Sequence, residues 1–192
     1  MLTTTYSMVV LSSEQQNARR ILGKLEQCLQ DASSACAGGV DCAWLERVLH
    51  KLMQVDRYCH QRTVELYVIP ALREAPAGAG DLLQRLDTLC TDAMRILLYV
   101  CSQFERAAAG VDVDIDALVS TIELYCRHIL VLLSLEEEEL FPAARHLLPT
   151  EAWFQIAARC LYETSTKPAH GRLAHSFGAY KRRNYPCLRK SH

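Results

Sequence analysis

Four consecutive glutamates, Glu136 to Glu139, are the residues of this 192-residue chain whose type and position most clearly suggest chemistry. They lie inside a long helical pattern, and counting back in sevens from Glu136 gives Ile129, Ile122 and Ile115. Residues seven apart share one face of a helix, so Glu136 is predicted to face the core, whereas the other three glutamates are interpreted as a solvated face. A buried carboxylate is costly unless it is paired, hydrogen-bonded or bound to a metal. Glu136 therefore marks a candidate site.

The pattern around this site predicts an all-α, up-down-up-down four-helix bundle with a short fifth helix. The first helix is expected to start at the Ser12-Ser13 cap, and its apolar stripe extends back to Gln15. The uncharged residues 1–11 before it are interpreted as an extended arm or a contact surface, and residues 31–39 as a loop. The other helices are predicted from Asp41 to about Pro70, from Asp81 to about Gly110, from Asp112 to about Pro149, and from Thr150 to Tyr162.

Composition places the chain among soluble globular proteins, since half of its residues are hydrophobic and 22% are charged. The sequence has no signal-peptide pattern and no run of about 18 apolar residues, so no membrane segment and a cytoplasmic location are expected. The nine cysteines contain no C-x-x-C pair, which favours reduced thiols over a disulfide framework. No phosphate-binding glycine loop, nucleophile elbow or zinc-ligand spacing is found, so an enzyme is not predicted.

Charge is divided unevenly along the chain. Residues 165–192 contain seven of the 21 basic residues and none of the 22 acidic residues. We therefore predict a bundle domain over residues 1–164 and a basic C-terminal tail over residues 165–192. The tail's candidate binding cations are Lys181, Arg182, Arg183, Arg189 and Lys190. Interleaved with aromatic rings, they fit nucleic-acid binding, but without a nucleic-acid-binding fold the preferred interpretation is a tail that folds back onto its own acidic bundle or has no specific role.

The run from Glu136 to Pro142, E-E-E-E-L-F-P, resembles the end of the fourth helix in the hemerythrin-like family, also called HHE cation-binding domains. Weaker similarities are found around Glu65 to Leu72 and from Glu14 to Leu22, and together they cover roughly residues 13–160. The resemblance implies a four-helix bundle that holds a non-haem di-iron centre through histidines from all four helices and two carboxylates.

Residue by residue, the resemblance implies that Glu65 and Glu136 are the two carboxylate ligands. The family's histidine positions then fall on four residues of other types, which are Gln15, Gln61, Cys90 and Leu132. This is a large departure, because glutamine is a poor iron ligand and leucine is none. His128 is kept as a weak substitute that needs a one-turn shift in the fourth helix.

Two interpretations of the carboxylates stay open. They are either metal ligands, or a buried polar cluster in which Glu65 and Glu136 bond to Gln15 and Gln61. Cys90 and Met94 similarly fit a soft metal or haem site, or ordinary packing. The preferred hypothesis is a degenerate site, no cofactor and a regulatory or protein-binding role, with a protein partner or a second copy of the chain. The alternatives are a non-haem-iron sensor or oxygen- or nitric-oxide-handling protein, and nucleic-acid binding by the tail.

Overall fold

The computed structural model describes residues 2–35, 42–75 and 79–166, and every regular element in these ranges is helical. The predicted all-α class is therefore confirmed. The α-helices are α1 Leu2–Ala35, α2 Cys42–His60, α3 Ile69–Glu74, α4 Gly80–Ala108, α5 Ile115–Leu135, α6 Phe141–Leu147 and α7 Thr150–Thr166. Two π-helical turns, Val64–Val68 and Glu136–Leu140, lead into α3 and α6.

The chain divides into two compact units, Met1–Cys160 and Leu161–His192. In the second unit the described residues are Leu161–Thr166, which are helical. Within the first unit, α1 packs against α2 and α5, and α4 packs against α5 and α2. These four long helices supply most of the apolar core.

The start of α1 differs from the prediction. Residues 2–11 are helical rather than an extended arm, and the Ser12-Ser13 cap signal is not used. Ser7 and Leu11 are fully buried, so they extend the stripe of Gln15 by two more helical steps. Burial of this face outweighs the local capping preference. The predicted loop at residues 31–39 is likewise helical as far as Ala35.

Two prolines explain the π-helical turns. Pro142 has no N–H, and in an α-helix its ring would clash with the carbonyl of Glu138. One extra residue in the turn relieves this contact, and the N–H of Phe141 bonds instead to the carbonyl of Glu136, five residues back. The same arrangement precedes Pro70, where the N–H of Ile69 bonds to the carbonyl of Val64. Both candidate carboxylates, Glu65 and Glu136, thus lie in widened turns, which occur often at functional sites.

The helical stretch Ile115–Leu147 is the one candidate membrane span among the residues described, by length and composition alone. The core helix of a soluble protein passes the same test, so this is weak evidence for a membrane span. One face of the stretch is buried inside the protein and includes Ile122, Leu133 and Glu136.

Candidate functional site

The second long helix is interrupted where the sequence predicts continuity. α2 ends at His60, and Gln61 and Arg62 form a turn before the helical backbone resumes at Thr63. The Gln61 N–H bonds to the carbonyl of Tyr58 at 3.1 Å, and the Gln61 side chain is exposed. The prediction that Gln61 faces the site is therefore wrong. The turn alters the phase of the helix, and Arg62, which is 1% exposed, points inward in its place.

Arg62 and Glu136 form a buried, bidentate ion pair. Arg62 Nη1 donates to Glu136 Oε2 at 2.6 Å, and Arg62 Nη2 donates to Glu136 Oε1 at 2.8 Å. Parallel bonds of this kind are the strongest geometry for an arginine and a carboxylate. Arg62 Nε also donates to the carbonyl of Cys59 at 3.2 Å, at the end of α2. The pair connects the interruption of the second helix to the π-helical turn after α5.

Gln15 supplies a third hydrogen bond to Glu136. Its side-chain amide nitrogen donates to Glu136 Oε2, as the buried-cluster interpretation predicts for this residue. Gln15 is 1% exposed and Glu136 is fully buried. Glu136 therefore receives three hydrogen bonds from two side chains, Arg62 and Gln15. We call Gln15, Arg62 and Glu136 the Arg62 cluster.

Glu14, the neighbour of Gln15 on α1, holds the interruption in place. Its carboxylate accepts a hydrogen bond from the Thr63 N–H at 2.7 Å and another from the Thr63 hydroxyl at 2.9 Å. An acidic side chain on the first N–H groups of a helix segment satisfies donors that have no partner within the helix. The pair Glu14–Thr63 thus fixes the backbone from which Arg62 extends.

Electrostatics keep Arg62 charged. Burial lowers the pKa of Arg62, but the negative charge of Glu136 and the hydrogen bonds to it more than offset this effect, so the pKa lies above its ordinary value. The positive charge of Arg62 and the negative charge of Glu136 consequently balance each other within the cluster. Removing either partner would leave an uncompensated charge in the core.

Glu65 lies beside the cluster but is not part of it. Its Oε1 is 3.8 Å from Arg62 Nη2, which is too long for a hydrogen bond, and its side chain is 22% exposed. Burial raises the pKa of Glu65, the charge of Glu136 raises it further, and Arg62 opposes both effects. Of the two predicted carboxylate ligands, only Glu136 is tightly held.

The other positions to which the resemblance assigned histidines carry no nitrogen ligand. Leu132 is buried in the apolar core. Cys90 is partly buried against the same core, and burial raises the pKa of its thiol to about 12. Met94 is partly buried on the same helix, one turn further on.

The histidines near the site are directed elsewhere. His128 is partly buried on α5, and its Nδ1 lies 3.0 Å from the carbonyl oxygen of Leu124 on its own helix. It is two helical turns from Glu136, about 12 Å along the axis. His60 is about half exposed, and its Nε2 lies 3.5 Å from Oδ1 of the buried Asp56. Its hydrogen bond with Asp56 raises the pKa of His60 above the ordinary value.

Two of the other glutamates in the π-helical turn are exposed and also bond to arginines. Glu137 pairs with Arg19 of α1 at 2.7 Å. Glu139 pairs with Arg85 of α4 through two hydrogen bonds, at 2.6 and 2.8 Å. The predicted solvated face is therefore exposed, but two of its three carboxylates bond to neighbouring helices.

A di-iron centre does not fit these residues. The oxygens of Glu136 are engaged by Arg62 and Gln15, and the histidine positions carry an amide, a thiol and an apolar side chain. Within residues 2–35, 42–75 and 79–166, no group of three His, Cys, Asp or Glu side chains is arranged to hold a metal ion. A positive charge nevertheless lies against Glu136, and it belongs to Arg62.

Sequence reasoning missed Arg62, Glu14 and Thr63. A usable signal was present: a carboxylate on a core stripe requires a cation or donors, and Arg62 directly follows a position that the resemblance assigned to the site. The proposed tail cations, Lys181 to Arg183 with Arg189 and Lys190, lie outside the described residues.

Comparison with known proteins identifies no match to this chain: no family model, no characterised protein and no solved structure is similar enough to report.

Proposed function

We propose that this chain is a hemerythrin-like four-helix bundle in which an arginine has taken the position of the metal centre, and that its role is regulatory or protein-binding rather than enzymatic. The observation that carries this proposal is the buried, bidentate ion pair of Arg62 with Glu136. In the family that the sequence resembles, the corresponding carboxylate is a metal ligand. Here its oxygens are engaged by protein donors.

The packing of the long helices supports the bundle. α1 contacts α2 and α5, and α4 contacts α5 and α2, so each of the four helices has two neighbours in a closed ring. Such a ring is the arrangement expected of a four-helix bundle, in which sites are built from side chains on facing helices. The Arg62 cluster joins three separate parts of that ring, which fits a site inherited in position but changed in chemistry.

The start of α1 supports a role in protein contact. Leu2, Tyr6 and Val9 are spaced four and three residues apart, so they form a stripe on one face of the helix. Leu2 is 90% exposed and Val9 is 63% exposed. The first thirteen residues carry no charged side chain to interrupt this face. An exposed apolar stripe on an otherwise packed helix favours binding to another protein surface.

Metal analysis of the purified full-length chain tests the first half of the proposal. After anaerobic incubation with ferrous iron and removal of the excess, we expect far less than one iron per chain and no ligand-to-metal absorption band. A stoichiometric iron pair with an oxo-bridge spectrum would overturn the proposal and favour the iron-dependent alternative. Arg62→His provides a comparison, because it removes the guanidinium and adds a nitrogen ligand.

Affinity capture with two matched variants tests the second half. Val9→Asp places a charge on the α1 stripe, whereas Val131→Asp places one on α5, where Val131 is 53% exposed. We expect partner capture or self-association by the wild-type chain, loss of that binding in Val9→Asp, and its retention in Val131→Asp. Equal binding by both variants would contradict a contact role for this stripe.

A further inference from the structure

We infer that Glu136 and Gln15 form a binding site selective for a planar guanidinium cation, whose resident ligand is the chain's own Arg62. This inference rests on the proposed function, since it identifies the ligand of the same site. It also predicts a measurable property: once the Arg62 side chain is shortened, the remaining pocket should accept a free guanidinium ion from solution.

The shape of the contacts supports a planar cation. The two oxygens of Glu136 face two different nitrogens of Arg62, at 2.6 and 2.8 Å. A fork of two parallel N–H groups matches both oxygens in one plane, whereas an ammonium group is a point charge without such a planar fork. The third nitrogen of the guanidinium group, Nε, donates to the carbonyl of Cys59. All three nitrogens are therefore recognised by acceptors from two parts of the chain.

The walls of the pocket have contacts that do not involve Arg62. Gln15 donates to Glu136 from α1, and its carbonyl oxygen Oε1 is buried without a hydrogen-bond partner among the described residues. That oxygen is a buried acceptor on a residue that bonds directly to Glu136. Glu14 and Thr63 hold the interrupted backbone through bonds of their own. The acceptors should consequently keep their positions when the Arg62 side chain is removed.

The charge of the pocket favours a single positive charge. Glu136 is fully buried and its carboxylate is the one tightly held anion, whereas Glu65 is 3.8 Å from Arg62 and 22% exposed. The carboxylate of Glu136 balances one positive charge, and the amide of Gln15 and the apolar side chain of Leu132 are not the donors that iron prefers. A monovalent guanidinium neutralises Glu136 and uses its planar shape.

Thermal unfolding of Arg62→Ala tests the inference. We expect Arg62→Ala to melt well below the wild type. Guanidinium chloride at about 20 mM, which is too dilute to denature appreciably, should raise its Tm by about 3–6 °C. Sodium chloride at the same concentration should not. The wild type and Arg85→Ala, which loses an exposed ion pair, should not be raised by guanidinium.

If Arg62→Ala does not fold in buffer, guanidinium should restore its helical circular dichroism. Failure of guanidinium to do so, when Arg62→Met/Glu136→Leu does fold, would overturn the inference. Stabilisation of Arg62→Ala by zinc or ferrous iron instead of guanidinium would also overturn it. Iron binding by the wild type would overturn the proposed function, whereas absence of guanidinium rescue in a metal-free protein would overturn only this inference.

Discussion

Replacing Glu136 with glutamine should be among the most damaging conservative changes in the chain. Glu136→Gln keeps the side-chain shape but leaves Arg62, which is 1% exposed, as a buried cation without a counter-charge. Breaking one side of a buried pair costs about 3–5 kcal/mol. For a chain of this size, that corresponds to a fall in Tm of roughly 6–20 °C. If the two carboxylates are only remnants of a metal site, the sequence predicts that glutamine is tolerated at both Glu65 and Glu136. The buried contact with Arg62 predicts instead a large loss of stability for Glu136→Gln.

Urea unfolding followed by circular dichroism measures this cost. Glu138→Gln is the matched control, because Glu138 belongs to the same π-helical turn and is exposed, so its midpoint should not change. The double variant Arg62→Met/Glu136→Leu should recover most of the lost stability, since apolar residues of similar volume often replace a buried ion pair without loss. A decrease of less than about 1 kcal/mol in Glu136→Gln would refute the reasoning, because it would mean that water or another group reaches Arg62.

Three further predictions concern the surroundings of the cluster. Glu65→Gln should stabilise the protein near pH 7 and have little effect near pH 4. Folding raises the pKa of Glu65, so the folded protein loses stability as this carboxyl ionises with rising pH. Urea unfolding midpoints of the variant and the wild type at the two pH values test this. His60→Gln should destabilise the protein at pH 5.5 and much less at pH 8.5, because a histidine with a raised pKa stabilises the fold while it is protonated; equal effects would contradict a charged pair with Asp56. Glu14→Gln should cost about 1 kcal/mol by weakening both bonds to Thr63, whereas a neutral result in urea unfolding would show that the interruption holds without Glu14.

Helical periodicity correctly located the parts of the site that lie on unbroken helices. Gln15 and Glu136 were both predicted to face the core from stripes on α1 and α5, and both are buried. A stripe argument requires only that the helix keep its 3.6-residue period between the apolar residues and the site. That condition holds from Leu29 back to Gln15, and from Ile115 to Glu136.

The same argument failed where the helix is interrupted. The resemblance assigned Gln61 to the site because it lies four residues before Glu65, which presupposes a continuous helix, but the backbone leaves the helix at Gln61 and Arg62. The interruption depends on Glu14, which is distant in sequence and bonds to Thr63. Local propensity carries no information about such a contact. The bundle topology and the metal-free role remain predictions, supported by the helix pairings and by Arg62.

The run of glutamates after α5 has a consequence for how that helix responds to salt. Three carboxylates of one turn, Glu136, Glu137 and Glu139, bond to arginines in three different directions, so together they set the rotation of the helix about its own axis. At 1 M salt the screening length falls to about 3 Å, which weakens the two exposed pairs. The pair of Glu136 with Arg62 lies away from the solvent and is not screened in this way. The angular setting of α5 should therefore persist in concentrated salt, because one of its three ionic contacts is inaccessible to ions.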